Sequence, residues 1–236
     1  MNAGESLHIF IDIDSREIEE KYAIKTQIKV SDAYEIDQML GSGGYASVRK
    51  VHRVDHCKVP FALKSFNKEV KVKYSEIEIL NLIDYPSIPK VIESYKDINN
   101  VHIVMQYWDG TSLSEFFYKI LDGELSISTE DMMSIFFQIC KAVSFMKQKQ
   151  VIHNDLKPAN IVIKKSSKGW LLPYHIDVVD FGVALQQKNN KVSKQIFGSP
   201  HYIAPESLDG VYGYHSDVWS IGVMIYFAIC KSYPSN

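Results

Sequence analysis

Long apolar runs are missing from this 236-residue chain. The most apolar stretch, 218–230, is interrupted by Ser220 and Gly222. It falls short of the roughly 20 residues that a membrane helix needs, and it reads as a buried helix. Cysteine is scarce as well. Cys57, Cys140 and Cys230 are odd in number, far apart and in no metal-ligand spacing, which argues against a disulfide framework and fits a reducing, intracellular and cytoplasmic setting. A net charge of -2 gives no electrostatic reason to expect nucleic acid or an anionic membrane as partner. The opening MNAGESLHIF has no basic segment leading into an apolar one, so no secretory signal is read there. No glycine run is followed by Lys-Ser/Thr, which removes the phosphate-loop nucleotide site. Asp12 and Asp14 begin like a calcium loop, but the next ligand position holds Arg16 and the required glycine position holds Glu17.

What is present suits a soluble globular protein with a large core: 46% hydrophobic and 23% charged residues. Residues 1–33 are weakly patterned, with alternation over 9–13 and a polar surface turn or helix over 15–22. Residues 34–40 alternate and run into G-S-G-G-Y-A-S-V, where glycines let backbone amides approach phosphate oxygens. Taken alone, that loop is equally an ordinary hairpin. A strand with Lys64 follows, then a helix over 68–83 carrying Glu76, with Glu78 as the competing acid. An apolar strand over 101–107 precedes W-D-G-T-S-L. Ser128 and Asp131 mark a capping box opening a helix whose one face is Met132, Ile135, Phe136, Ile139, Val143 and Met146. Residues 151–160 read V-I-H-N-D-L-K-P-A-N. They put a carboxylate, an ammonium and an amide into one turn-rich segment, the groups that phosphoryl transfer needs together. Two further strands, 161–163 and 175–179, form a hairpin that ends in Asp180-Phe181-Gly182.

In this order the motifs resemble the eukaryotic protein kinases of the serine/threonine type, and the wording near 202–206 and 216–220 is most like the calcium/calmodulin-dependent kinase group. The resemblance covers roughly 34–236. It implies an α+β, bilobal fold: an extension (1–33), a small antiparallel β lobe with one main helix (34–106), and a mostly helical large lobe (107–236). It implies ATP and Mg2+ as cofactors, protein substrates with an upstream regulator, and transfer of a γ-phosphoryl group to Ser/Thr hydroxyls. By the same resemblance Asp155 is the catalytic base or orienter, Lys157 steadies the migrating charge, and Asn160 and Asp180 hold the metal. The nucleotide would be bound by Leu40, Gly41, Ser42, Gly43, Gly44, Tyr45, Ala46, Val48, Ala62, Lys64, Glu76, Met105, Gln106, Trp108 and Val162. The activation segment would hold Phe181, Gly182, Ser193, Ser199 and Glu206. Asp217 would satisfy catalytic-loop amides, and Leu80, Val91, His153 and Phe181 would form a column joining the lobes.

Departures from the family pattern carry their own expectations. Ala46 replaces the third loop glycine, Ser199 replaces a threonine, and the segment from Lys64 to Glu76 is short. Asn154 replaces the arginine before the catalytic aspartate, so activity should depend little on loop phosphorylation. Ser112 and Ala159 stand where basic-directed kinases carry acids. The chain stops soon after the central helix, which should expose apolar surface and leave Glu206 without its usual arginine. The rival readings are a catalytically inactive kinase-like binding module and an unrelated small-molecule kinase.

Overall fold

The computed structural model describes residues 15–43, 46–55, 59–67, 73–166, 171–187 and 198–234. Gly44, Tyr45, Cys57, Ser193, the acids Asp12 and Asp14 and the strand expected over 9–13 lie outside them.

Two short helices, α1 (Ser15–Lys21) and α2 (Val30–Ala33), precede a five-stranded antiparallel sheet. Its strands are β1 (Tyr34–Ser42), β2 (Ala46–Arg53), β3 (Pro60–Asn67), β4 (Val91–Lys96) and β5 (Asn100–Gln106), in the order β1-β2-β3-β5-β4. Helix α3 (Lys73–Leu82) lies between β3 and β4 in the chain. The sheet forms because β2, β3 and β5 alternate side chains between two apolar faces. Tyr34, Val51, Leu63, Tyr95 and Val104 cluster on one face, and Ala62, Val101, Ile103 and Met105 on the other. Lys64 is in register with Ile103 and is buried on the second face. The alternation over 34–40 does not make β1 half-buried: only Tyr34 is buried, and Ile36 and Met39 are exposed. β1 is an edge strand with one neighbour, and after Tyr34 no described layer covers its side chains. The helix expected from 68 is seen from Lys73, residues 68–72 being outside the described set.

The second half is mostly helical. It contains β6 (Thr111–Ser112), α4 (Leu113–Leu121), α5 (Thr129–Gln148), β7 (Val151–Ile152), a 3-10 turn (Pro158–Asn160), β8 (Ile161–Lys165), β9 (Tyr174–Val178), β10 (Leu185–Gln186), α6 (Pro205–Leu208) and α7 (Tyr214–Cys230). Helix α5 starts where the Ser128 hydroxyl accepts the Asp131 amide at 3.0 Å. Its face of Ile135, Phe136, Ile139, Val143 and Met146 is buried in the main core. Each such side chain contributes about 1.5–3 kcal/mol of burial, so this face anchors the half. The reading of 218–230 as a buried helix is corrected: α7 forms, but Val218, Trp219, Tyr226 and Ile229 are exposed along it. Ser216, Asp217, Ser220, Val223 and Met224 line its buried side instead, so a helix apolar all round has only one side covered. The architecture is α+β and bilobal, with a small β lobe carrying α3 and a mostly helical large lobe. Among the described residues no helix is long and apolar enough to cross a membrane.

Candidate active site

The site is built where β3, α3, the turn after β7 and the end of β9 meet. Lys64 is carried inward by the strand alternation and is 5% exposed. Its Nζ donates to Glu76 Oε1 at 2.8 Å and to Asp180 Oδ1 at 2.7 Å. Glu76, not Glu78, faces it from α3. Burial works against the Lys64 charge, but Glu76 and Asp180 outweigh it and the Lys64 pKa is raised. For Glu76 burial dominates and raises its pKa despite Lys64. Its Oε2 is buried with no hydrogen bond of good geometry, although the nearby Phe181 amide favours the charged form. Burial also pushes Asp180 upward, yet Lys64, and His153 beyond it, hold its carboxyl below the usual value.

Asp180 sits in the left-handed region, φ 66°, a strained place for a non-glycine residue. The bend turns Phe181 inward and leaves the Asp180 side chain half exposed, 49%. Phe181 packs against His153 with ring centroids 4.8 Å apart and the rings tilted by 56°, and both are in the buried interior with Leu80; Val91 packs against the same cluster. Gly182 follows because a β-carbon there would lie 3.2 Å from Asp180 Oδ1 and 3.3 Å from Lys64 Nζ.

The turn after β7 is held from below. Buried Asp217 on α7 accepts the His153 amide at 2.8 Å on Oδ2 and the Asn154 amide at 3.0 Å on Oδ1. Burial still raises the Asp217 pKa against these amides and the His153 ring. His153 Nδ1 accepts the Asp155 amide at 3.3 Å, so its ring hydrogen is on Nε2, which donates to the Val179 carbonyl at 3.1 Å. The Val179 amide in turn donates to the Asn160 carbonyl at 2.9 Å. Asn154 takes φ 64°, which asparagine tolerates, and its Nδ2 reaches the Val183 carbonyl at 3.2 Å while its Oδ1 is buried without a partner.

Asp155 is the hub. Its Oδ2 accepts Lys157 Nζ at 2.7 Å and Asn160 Nδ2 at 3.2 Å, and its Oδ1 accepts the Ser199 hydroxyl at 2.8 Å. Lys157 Nζ also donates to Ser199 Oγ at 2.8 Å, which closes a triangle of three side chains. Asn160 Nδ2 donates to the Asp155 carbonyl as well, at 2.8 Å. With the amide nitrogen committed to two acceptors, the amide oxygen is turned away from Asp155.

Of the nucleotide candidates, Ala46, Val48, Ala62 and Met105 share one apolar cluster. Leu40, Gly41 and Ser42 end β1, and Gly43 donates its amide to the Ala46 carbonyl at 2.9 Å. A β-carbon on Gly41 or Gly43 would meet nothing within 4 Å, so these glycines leave the backbone open and do not relieve a clash. Ala46 and Val48 lie on β2 and pack beside Ala62 and Met105, which face each other across β3 and β5. Gln106 is only partly available: its amide donates to the Lys90 carbonyl at 3.0 Å, and its side chain accepts the Lys90 amide at 3.2 Å. Val162 is on β8, paired with Ser112 of β6. Gly110 stands in the W-D-G-T-S-L segment, at the end of the hinge that the resemblance implies near Gln106 to Gly110. A β-carbon there would meet the Ile163 carbonyl oxygen at 2.6 Å and Val162 Cγ1 at 2.8 Å, so this glycine lets the connection lie against β8. Glu206 does have a partner near it, His215 Nε2 at 3.3 Å from Oε1.

The metal candidates supply a carboxylate and an amide oxygen, hard donors of the kind Mg2+ takes in ones and twos while keeping water and phosphate oxygens. Among the described residues no larger His/Cys/Asp/Glu cluster could hold a metal. The amide oxygen of Asn160, whose nitrogen is committed to Asp155, and the half-exposed Asp180 carboxylate fit that ion.

The bilobal α+β fold and this cluster of polar side chains define the structural class. The protein kinase domain matches residues 34–236, and the chain belongs to that family. Calcium-dependent protein kinase 5 of Plasmodium falciparum is 33% identical over 94% of this chain and 39% of its own length. Smooth muscle myosin light chain kinase of Gallus gallus is 30% identical over 94% of this chain and 12% of its own, and calcium-dependent protein kinase 22 of Arabidopsis thaliana is 29% identical over 92% and 44%. The chain therefore spans less than half the length of these curated relatives. They agree with the calcium/calmodulin-dependent leaning of the motifs.

Proposed function

We propose that this chain is an active ATP-dependent protein serine/threonine kinase. The observation that carries it is the pair of hydrogen-bond systems in which Asp155 meets Lys157, Ser199 and Asn160 while Lys64 meets Glu76 and Asp180. A non-catalytic module has no need to assemble both.

Asp155 orients the acceptor hydroxyl and takes its proton as the oxygen bonds to the γ-phosphorus. The bond from that phosphorus to the bridging oxygen breaks, and ADP leaves. Lys157, held between Asp155 and Ser199, presents its charge to the migrating phosphoryl group. Lys64 is fixed by two carboxylates and anchors the α- and β-phosphates. Asn160 and Asp180 would hold Mg2+, which supplies neutralisation of phosphate charge when bound. Ala62, Val48, Met105 and Val162 enclose the adenine, with the Gln106 carbonyl and the Trp108 backbone at its edge. Residues 34–106 act as the nucleotide lobe and 107–236 as the substrate lobe. The neutral Asn154 gives no cation for a loop phosphate to neutralise, so turnover should not require one.

The test is transfer of label from γ-labelled ATP with Mg2+ to casein, compared with Asp155→Asn. Transfer that falls at least a hundredfold in the variant is expected. Equal transfer by both proteins would overturn the role of Asp155, and nucleotide binding with no transfer by either would support the inactive module.

A further inference from the structure

The residues before the kinase match are more than an appendage. Ile18 and Ile24 are 6% and 7% exposed, and they share one apolar cluster with Ala62 and Met105 of the nucleotide pocket and with Ile77 of α3. Helix α1 ends because Ala23 takes a left-handed φ of 48°, and the Ile24 amide then closes on the Glu19 carbonyl at 2.8 Å. The turn throws Ile24 back onto the sheet. Lys25 pairs next with the free edge of β4: its amide donates to the Ser94 carbonyl and its carbonyl accepts the Lys96 amide, both at 2.9 Å.

Glu19 ties this segment to α3. Its Oε1 accepts the Tyr74 hydroxyl at 2.9 Å and also the Lys96 ammonium. Tyr74 stands two residues before Glu76, and Ile77 directly follows it, so α1 grips the turn of α3 that supplies the partner of Lys64. That grip matters because Glu76 is buried and its burial favours the protonated form. An ion pair so desolvated gives α3 little reason to stay by itself.

We infer that residues 18–25 form a built-in clamp that holds α3 with Glu76 on Lys64, and that Glu19 is the positioning residue of this clamp. The inference rests on the kinase reading above for its effect on turnover, but its structural part can be read without turnover. Glu19→Ala removes both contacts, whereas Glu19→Gln keeps an acceptor for the Tyr74 hydroxyl and serves as the conservative rescue.

Three readouts decide it: amide hydrogen exchange over residues 77–80, affinity for a fluorescent ribose-labelled ATP, and kcat and KM for labelled transfer to casein. In Glu19→Ala the exchange over 77–80 should quicken about tenfold and kcat should fall about fivefold with the casein KM unchanged; Glu19→Gln should recover most of both. Unchanged exchange in Glu19→Ala overturns the clamp whatever the activity. Faster exchange with unchanged kcat overturns the positioning role and leaves a merely structural contact. If the parent chain transfers no phosphate, the kinase reading fails separately, and the ATP analogue decides: weaker binding in Glu19→Ala together with faster exchange supports the clamp, and unchanged binding overturns it.

Discussion

Asp177 lies on β9 opposite Val162, is 5% exposed, and meets no cation or hydrogen-bond donor among the described residues. Burial alone pushes its carboxyl from 3.8 up to about 7. Because the folded pKa is the raised one, the fold prefers this carboxyl protonated. Its full contribution is present below about pH 4, drains away as pH rises, and is gone above about pH 7. The displacement from 3.8 to about 7 corresponds to about 4 kcal/mol over the whole window, of which about 3 kcal/mol falls between pH 5 and pH 8. Asp177→Asn keeps the shape and removes the titration. Urea denaturation of both proteins at pH 5, 6, 7 and 8, followed by tryptophan fluorescence, should show the variant gaining on the parent by about 3 kcal/mol across the series. A difference that stays constant with pH, or one that moves in favour of the parent as pH rises, would refute the reasoning.

Three other outcomes are expected. Asp217→Ala should orphan the His153 and Asn154 amides at about 1–3 kcal/mol each, lowering the melting temperature and cutting phosphate transfer at least tenfold; Asp217→Asn, with one acceptor oxygen left, should fall between. Gly110→Ala must push the connection off β8 and should cost about 1–3 kcal/mol in stability while weakening ATP-analogue binding more than casein binding, as titration and steady-state kinetics would show. Ser193→Ala, or prior phosphatase treatment, should leave the rate of labelled transfer within about twofold, since Asn154 binds the Val183 carbonyl and offers no cation to a phosphate; abolished turnover would contradict this.

Much of the cleft was legible through the order of its motifs. Lys64, Glu76, Asp155, Asn160 and Asp180 could be named because that order resembles the protein kinases, and the ion pair that forms is with Glu76, not Glu78. The α5 face was legible from its own pattern, a clean helical period opening at a cap. Other features depended on partners distant in the chain. Ile36 and Met39 are exposed on the edge strand β1, and Val218 and Trp219 lie on a side of α7 that no other described element covers. Neither is encoded in the local pattern. The clamp by Glu19 joins residues 55 apart through a tyrosine that looks like any surface aromatic. Gly110 reads as a bland loop glycine until β8 is laid beside it.

The peptide groups flanking Val179 are gripped from both directions: the N–H is spent on the Asn160 carbonyl and the C=O on His153 Nε2. Asp180 begins immediately afterward. The two side chains proposed to share the ion therefore belong to one rigid block, riding on α7 through Asp217, and their mutual spacing does not pass through the small lobe at all. Opening and closing of the cleft can then vary how Lys64 approaches without disturbing the distance between the ion's own anchors.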